Sequence, residues 1–247
     1  MPDERTSFKI ELSLCDRTIE AEASVPNAPL RVADLLPILH SFDNAVVGMV
    51  ASKTESDGKK ISCRAACGAC CRQLVPASEA EAVYLAELVA EMPPERQARV
   101  RRRFQEALEA LGAPLVERLS DTTKLTDIEL RREIGREYFS RGVPCPFLED
   151  ESCSIYEHRP MSCREYLVTS PAVNCRTPSA ETIRQVVIPL KLSTILYCFG
   201  DGVGNEGTRW VPLVSALEWA AARDTAALKR FPGPELFKNF VTAMTKR

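Results

Sequence analysis

The chain opens with a strict alternation. Phe8, Ile10, Leu12 and Leu14 fall on one side, Lys9, Glu11 and Ser13 on the other, and the same period returns at Ile19, Ala21, Ala23 and Val25 after Asp16 and Arg17. A period of two puts the apolar side chains on one face of an extended strand, so this stretch predicts a β-hairpin. From Leu30 to Val50 the spacing changes to threes and fours through Val32, Leu35, Leu36, Leu39, Phe42 and Val46, which predicts a helix with Pro37 near its first turns, ended by TESDGKK. Ser78 and Glu81 have capping-box spacing ahead of Val83, Leu85, Leu88, Val89 and Met92, and a second helical stripe of Val100, Phe104, Leu108 and Leu111 follows Pro93 and Pro94. Thr126 and Glu129 repeat the capping signature for a helix that ends near Gly142.

Two stretches have no sustained period: CRAACGACC, and VPCPFLEDESCSIYEHRPMSCREYLVTSPAVNC farther along. The second is rich in Pro, Ser, Glu and Asp and predicts loop with one helical turn. Ile183 to Phe199 is apolar and β-branched, and its pattern assigns neither helix nor strand, whereas Trp210 to Leu228 and Glu235 to Met244 predict two closing helices. No internal repeat is present. The fold class that follows is mainly α with a small N-terminal β-hairpin, an α+β chain in which irregular cysteine-rich loops form a metal centre. We expect one globular domain over 1–247, with the hairpin and first helix in 1–57, a cysteine region at 62–175 and a helical region at 176–247.

Composition narrows the function. With 247 residues, 45% of them hydrophobic, the chain can bury a full core, so metal need not be its only source of stability. A net charge of -2 and a pI near 5.9 give no general attraction to nucleic acid or anionic lipid. The arginines at 99, 101, 102 and 103 are offset by glutamates and read as a solvated helix face. No apolar run approaches the ~20 residues of a membrane span. The start MPDERTSFKIELSL lacks a basic segment followed by an apolar one, which predicts a cytoplasmic protein. We therefore expect no nucleic-acid or membrane partner, and a protein partner whose identity is unknown.

Eight of the ten cysteines group together: Cys63, Cys67, Cys70 and Cys71, then Cys145, Cys153, Cys163 and Cys175. In a reducing compartment clustered thiols serve as ligands or redox groups rather than bridges, and thiolate is the ligand of zinc, iron–sulfur clusters and copper(I). Cys67-x-x-Cys70 is a ligand pair of this kind, with Gly68 available for a positive backbone angle. Cys71 points away from Cys70 in extended backbone and suits a different metal, or a different edge of one cluster. Eight thiolates fill two four-coordinate sites, or supply one four-cysteine cluster with four left over. Cys15 on a strand and Cys198 in an apolar run read as ordinary small residues.

Cys67, Cys70 and Cys71, then Cys145, Pro146 and Leu148, then Cys153, Ile155, Tyr156, Arg159, Pro160, Cys163 and Arg164 match a known pattern, Cys-x₂-Cys-x₂-Cys-Cys followed by Cys-Pro-x-Leu and Cys-x-Ile-Tyr-x-x-Arg-Pro-x-x-Cys-Arg. At these residues the chain resembles the bacterial cysteine-cluster proteins of the YkgJ type, described as zinc- or iron-chelating or iron–sulfur proteins. The likeness covers roughly Ser62 to Cys175. It departs at Cys63, which lies four positions before Cys67 where the family has its first cysteine three before, and it does not fix Cys175.

Beside a negative thiolate centre, Arg159 and Arg164 could neutralise charge through hydrogen bonds to sulfur; the alternative pairs them with Glu157 or Glu165. Tyr156 and Tyr166 read as packing residues, Pro160 as a turn, His158 as an exposed histidine without a metal, and His40 as structural. Gly202, Gly204 and Gly207 satisfy G-x-G-x-x-G, but without repeated strand and helix alternation they read as a flexible turn, and no cofactor-binding set is assigned. The function expected is a cytoplasmic metal-binding protein holding an iron–sulfur cluster, of the 4Fe–4S type, or zinc, in a structural or redox role. The resemblance also extends to flagellin lysine methylases, which implies an alternative, an enzyme transferring methyl from S-adenosylmethionine; no residue is assigned a catalytic role.

Overall fold

The computed structural model describes residues 4–14, 17–120, 122, 127–200, 202, 204 and 207–246; Cys15, Thr126 and the side chain of Ile19 lie outside them. Strands β1 (Arg5–Leu14) and β2 (Arg17–Pro26) form the expected hairpin, in a register that sets Phe8 opposite Ala23 and Ile10 opposite Ala21. Its apolar face lies on α1 (Leu36–Ser56), which enters through β3 (Pro29–Leu30) and a short 3₁₀ turn at Val32–Leu35. Leu35, Leu36, Leu39 and Val46 are fully buried there, joined by Phe237 and Phe240 of α9 (Gly233–Thr245). Val32–Ser56 is long and apolar enough by length and composition to cross a membrane, which corrects the expectation that no such run exists. In the fold its apolar stripe is spent on the hairpin and α9.

The chain then passes through the first cysteine stretch to β4 (Pro76–Ala77) and α2 (Glu79–Ala90). The capping box is present as predicted: the Ser78 amide donates to Glu81 at 2.6 Å and the Glu81 amide to the Ser78 hydroxyl at 3.1 Å. Helix α3 (Pro94–Leu111) ends at Gly112, whose φ of 81° no β-carbon favours, and α4 (Ala113–Ser120) follows, a helix the sequence pattern did not separate. In α5 (Ile128–Ser140) the cap is Asp127, which accepts from the Leu130 amide at 2.8 Å. Leu111, Leu115, Leu119, Ile134 and Tyr138 close a second core with Trp210, and α2 and α3 close a third with Phe147 and Ile155.

The second cysteine stretch carries a minimal hairpin, β5 (Leu148–Glu149) and β6 (Ser152–Cys153), and one helical turn, α6 (Met161–Arg164). The undecided segment 183–199 becomes loop followed by α7 (Leu192–Leu196). The long helix predicted from Trp210 is cut down to β7 (Val211–Pro212), a 3₁₀ turn and α8 (Ala216–Ala221), because Val211 and Pro212 pair in a strand with Ala77 and Pro76. Pairing of β3 with β8 (Phe231–Pro232) ties the two ends of the chain together. The glycine turn is packed from inside: a β-carbon at Gly202 would sit 2.6 Å from the ring of Phe231, and one at Gly204 3.2 Å from Phe199.

Candidate metal centre

Four helices, α2 to α5, separate the two cysteine stretches, and yet the stretches are bonded to one another. The Cys145 amide donates to the Cys71 carbonyl at 2.7 Å, and the Ser62 amide to the Val168 carbonyl at 2.9 Å. Gly68 makes this docking possible. A β-carbon there would stand 2.6 Å from Leu148 Cδ1 and 2.7 Å from the Glu151 carbonyl oxygen, so only glycine lets the loop lie on the β5–β6 hairpin. Its role is close approach; the positive backbone angle in this loop belongs instead to Ala66, with φ 59°. The hairpin turns at Asp150 and Glu151, both at positive φ as a two-residue type I′ turn requires, and Glu151 is gripped by Arg72 at 2.6 Å and Arg176 at 3.1 Å.

The eight thiols fall into two overlapping neighbourhoods. Cys63, Cys67, Cys70 and Cys175 pack together around Ala69, Val168 and Tyr166. Cys145 and Cys153 instead pack on Phe147 and Ile155. Cys71, Cys145 and Cys163 lie close enough for their charges to act on one another, and Cys70 acts on members of both groups. A cavity of about 100 Å³ is lined by Cys63, Cys67, Cys70, Cys163 and Cys175 together with Arg159. Among the described residues, no three His, Cys, Asp or Glu side chains stand at the spacing that grips a single ion.

Burial decides the protonation of these thiols. It pushes Cys145 up to about 12 and Cys175 up to about 11, and it raises Cys63, Cys153 and Cys163 as well. Cys63 is additionally held, its sulfur accepting from the Val168 amide at 3.3 Å. Cys70 goes the other way, down to about 7, because the Cys71 thiol donates to its sulfur; Cys71, as donor, is raised. Cys70 is thus the readiest thiolate of the set.

The two arginines part company. Arg159 stacks on the Tyr156 ring at 4.0 Å, keeps its Nε buried with no hydrogen-bond partner, and lines the thiol cavity. Its charge favours ionisation of Cys63, Cys70, Cys153 and Cys163. Arg164 is buried and builds the protein instead, donating to the Arg159 and Glu157 carbonyls and to Asn44 Oδ1 at 2.8 Å. His158 takes the Tyr84 hydroxyl at 2.7 Å through Nδ1. His40 is buried, and desolvation lowers it to about 3. Cys198 lies buried near Thr208, apart from the thiols above.

Sequence reasoning missed the polar group that holds α6 in place. Glu81, read only as a cap, also accepts from the Met161 amide at 2.7 Å and so fixes the turn that carries Cys163. Glu165 accepts from the Ser193 amide at 2.9 Å and from its hydroxyl, locking α6 to α7. Asp43 is fully buried beside Glu165, and burial, reinforced by that neighbouring carboxylate, raises it to about 8. The available signal was a His40 and an Asp43 on the core-facing stripe of an otherwise apolar helix.

Residues 62–183 match the family model CxxCxxCC, described as "Putative zinc- or iron-chelating domain". No curated protein and no solved structure matches the chain. The matched segment spans every one of the eight candidate thiols, which supports metal binding through clustered cysteines as the chemistry of this region.

Proposed function

Residues 62–183 of this chain belong to the CxxCxxCC family, and on that premise we propose a cytoplasmic metal-binding protein in which the clustered thiolates hold an iron–sulfur cluster, with zinc as the second candidate, in a structural or redox role. The observation that carries the reading is the direct bond from the Cys145 amide to the Cys71 carbonyl, which joins two remote, irregular loops at their cysteines. Room favours the cluster. The thiols that pack together line a cavity of about 100 Å³, space that a polynuclear centre with its inorganic sulfide uses and a single zinc does not.

Bound in that cavity, a cluster supplies one-electron transfer. The chain's part is to hold, charge and shield it. Cys63, Cys67, Cys70 and Cys175 are the thiols of the cavity's own packing group, with Cys163 on its wall; Cys71, Cys145 and Cys153 make up the rest of a set large enough for a second site. Cys70 gives up its proton near neutral pH, the buried thiols give theirs up only as metal replaces them, and the Arg159 guanidinium offsets the resulting negative charge. The test is a serine series under anaerobic purification. Cys67→Ser, Cys70→Ser, Cys153→Ser and Cys163→Ser should each lower metal occupancy while Cys198→Ser leaves it intact. An equal loss in Cys198→Ser would show that the thiols have been divided wrongly.

A further inference from the structure

The hairpin leaves one long strand edge open. Among the described residues β1 and β2 pair only with each other, over 10 residues a side and without a break in register. In an antiparallel pair, residues alternate between those bonded to the neighbouring strand and those whose N–H and C=O point away from it. The Asn27 amide donates to the Glu4 carbonyl at 2.8 Å, and these two continue the register of the hairpin, so the even-numbered residues of β1 are bonded to β2. Ser7, Lys9, Glu11 and Ser13 therefore turn their main chain outward, and among the described residues nothing bonds it there. β1 is also the less covered strand: Phe8, Ile10, Leu12 and Leu14 are half-buried, where Ala23 and Val25 of β2 are buried. A long edge with no bulge and no proline is a template for another strand.

Charge selects which strand. Two copies of β1 related by a two-fold axis run antiparallel, and outward groups meet outward groups when the axis passes through a residue instead of between two. With the axis at Ile10, Thr6 to Leu14 overlap, Lys9 stands opposite Glu11 of the second copy on the exposed face, and Phe8 stands opposite its Leu12 on the apolar face. An axis one residue away sets Lys9 on Lys9 or Glu11 on Glu11. The match also relieves a conflict inside the hairpin, where Glu11 lies directly opposite Glu20, like charges that disfavour pairing. Lys9 already faces Glu22 at 3.6 Å, but those side chains are 85% and 75% exposed, which leaves Lys9 able to serve a second carboxylate on its other side. The outer edge of β2 fits no such copy of itself, because Glu20 and Glu22 stand there with no lysine or arginine among the residues that turn outward between Thr18 and Pro26.

We infer that β1 pairs edge to edge with β1 of a second copy of this chain, antiparallel and centred on Ile10, so that two hairpins become one four-stranded sheet. The pairing does not depend on the metal reading. One strand from each copy makes a small interface, so the dimer is reversible. Sedimentation of the full chain should show it with a Kd below about 0.1 mM, and amide exchange at Ser7, Lys9, Glu11 and Ser13 should slow as the protein concentration rises. Lys9→Glu should weaken the dimer about tenfold by setting like charges opposite one another in both symmetric pairs, and Lys9→Glu combined with Glu11→Lys should restore it. Ser7→Pro removes an outward amide that the hairpin does not use, and it should abolish the dimer while far-UV circular dichroism matches the wild type. If Ser7→Pro disturbs the fold, the charge swap decides alone. A chain that stays monomeric to about 0.1 mM, an unchanged Kd in Lys9→Glu, a loss that the double swap fails to restore, or a dimer that survives in folded Ser7→Pro would overturn the inference.

Discussion

In the N-terminal core, Phe237 of α9 meets the rings of Phe8 and Phe42 at 4.9 and 5.8 Å, and fully buried leucines fill the space around them. In the cysteine loops the joints are points instead: one amide on one carbonyl, one glycine under one hairpin, two arginines on Glu151, and Glu81 on the amide of Met161. The first region draws its stability from apolar area and tolerates no loss of volume. The second depends on a few contacts whose geometry cannot shift, and a metal that binds there adds its binding energy to the folding of that segment. Stability and metal retention should therefore respond to different substitutions.

The largest expected effect breaks the core alone. Phe237→Ala should cost about 3–5 kcal/mol in thermal or denaturant unfolding, while the metal per folded molecule stays at the wild-type level. A parallel loss of metal would show that the two regions are one unit. Gly68→Val should do the reverse. Its side chain cannot enter the gap under Leu148, so the loop lifts, at about 1–3 kcal/mol locally. Metal occupancy should drop and the Cys145 amide should exchange with solvent faster, with α1 and α9 as protected as before.

An effect that depends on pH sits at the seam between the regions. Folded Asp43 keeps its proton to about pH 8, whereas in an unfolded chain an aspartate releases it near pH 4. The folded state binds the extra proton, so this group's contribution is complete below about pH 4 and falls away as pH rises towards 8. Asp43→Asn has no such slope, so its stability relative to wild type should rise with pH between pH 5 and pH 8, at up to about 1.4 kcal/mol per pH unit. A constant difference between the two proteins across that range would mean that Asp43 is ionised in the folded state. The buried thiols obey the same sign at higher pH: metal-free protein should lose stability as pH rises from about 9 through the raised thiol values, and apparent metal affinity should climb with pH because binding releases protons.

The contrast also explains what the sequence made legible. Periodicity identified the hairpin, α1, α2, α3 and α9, because each buries one face and the spacing of Phe8 to Leu14 or Leu35 to Val46 records it. The predicted helix from Trp210 came out short because strand pairing of Val211 and Pro212 overrode a helical pattern, a tertiary effect that local spacing does not contain. The cysteines announced their chemistry by number and spacing. Their support did not: Glu81, Glu165 and Asp43 are ordinary acidic residues until the fold brings α1, α2 and α6 together, and Gly68 looked like a turn residue when its function is clearance. Arg159 and Arg164, alike in the motif, differ only in which way the chain turns them.

The most direct measurement is the metal, acid-labile sulfide and visible absorption of protein purified without oxygen. A cluster held by these thiolates predicts iron and sulfide in comparable amounts with a charge-transfer band in the visible, all lost together in Cys70→Ser. Zinc without sulfide would keep the metal and contradict the cluster. Less than roughly a tenth of an equivalent of any thiophilic metal, with the thiols paired as disulfides, would contradict the account as a whole.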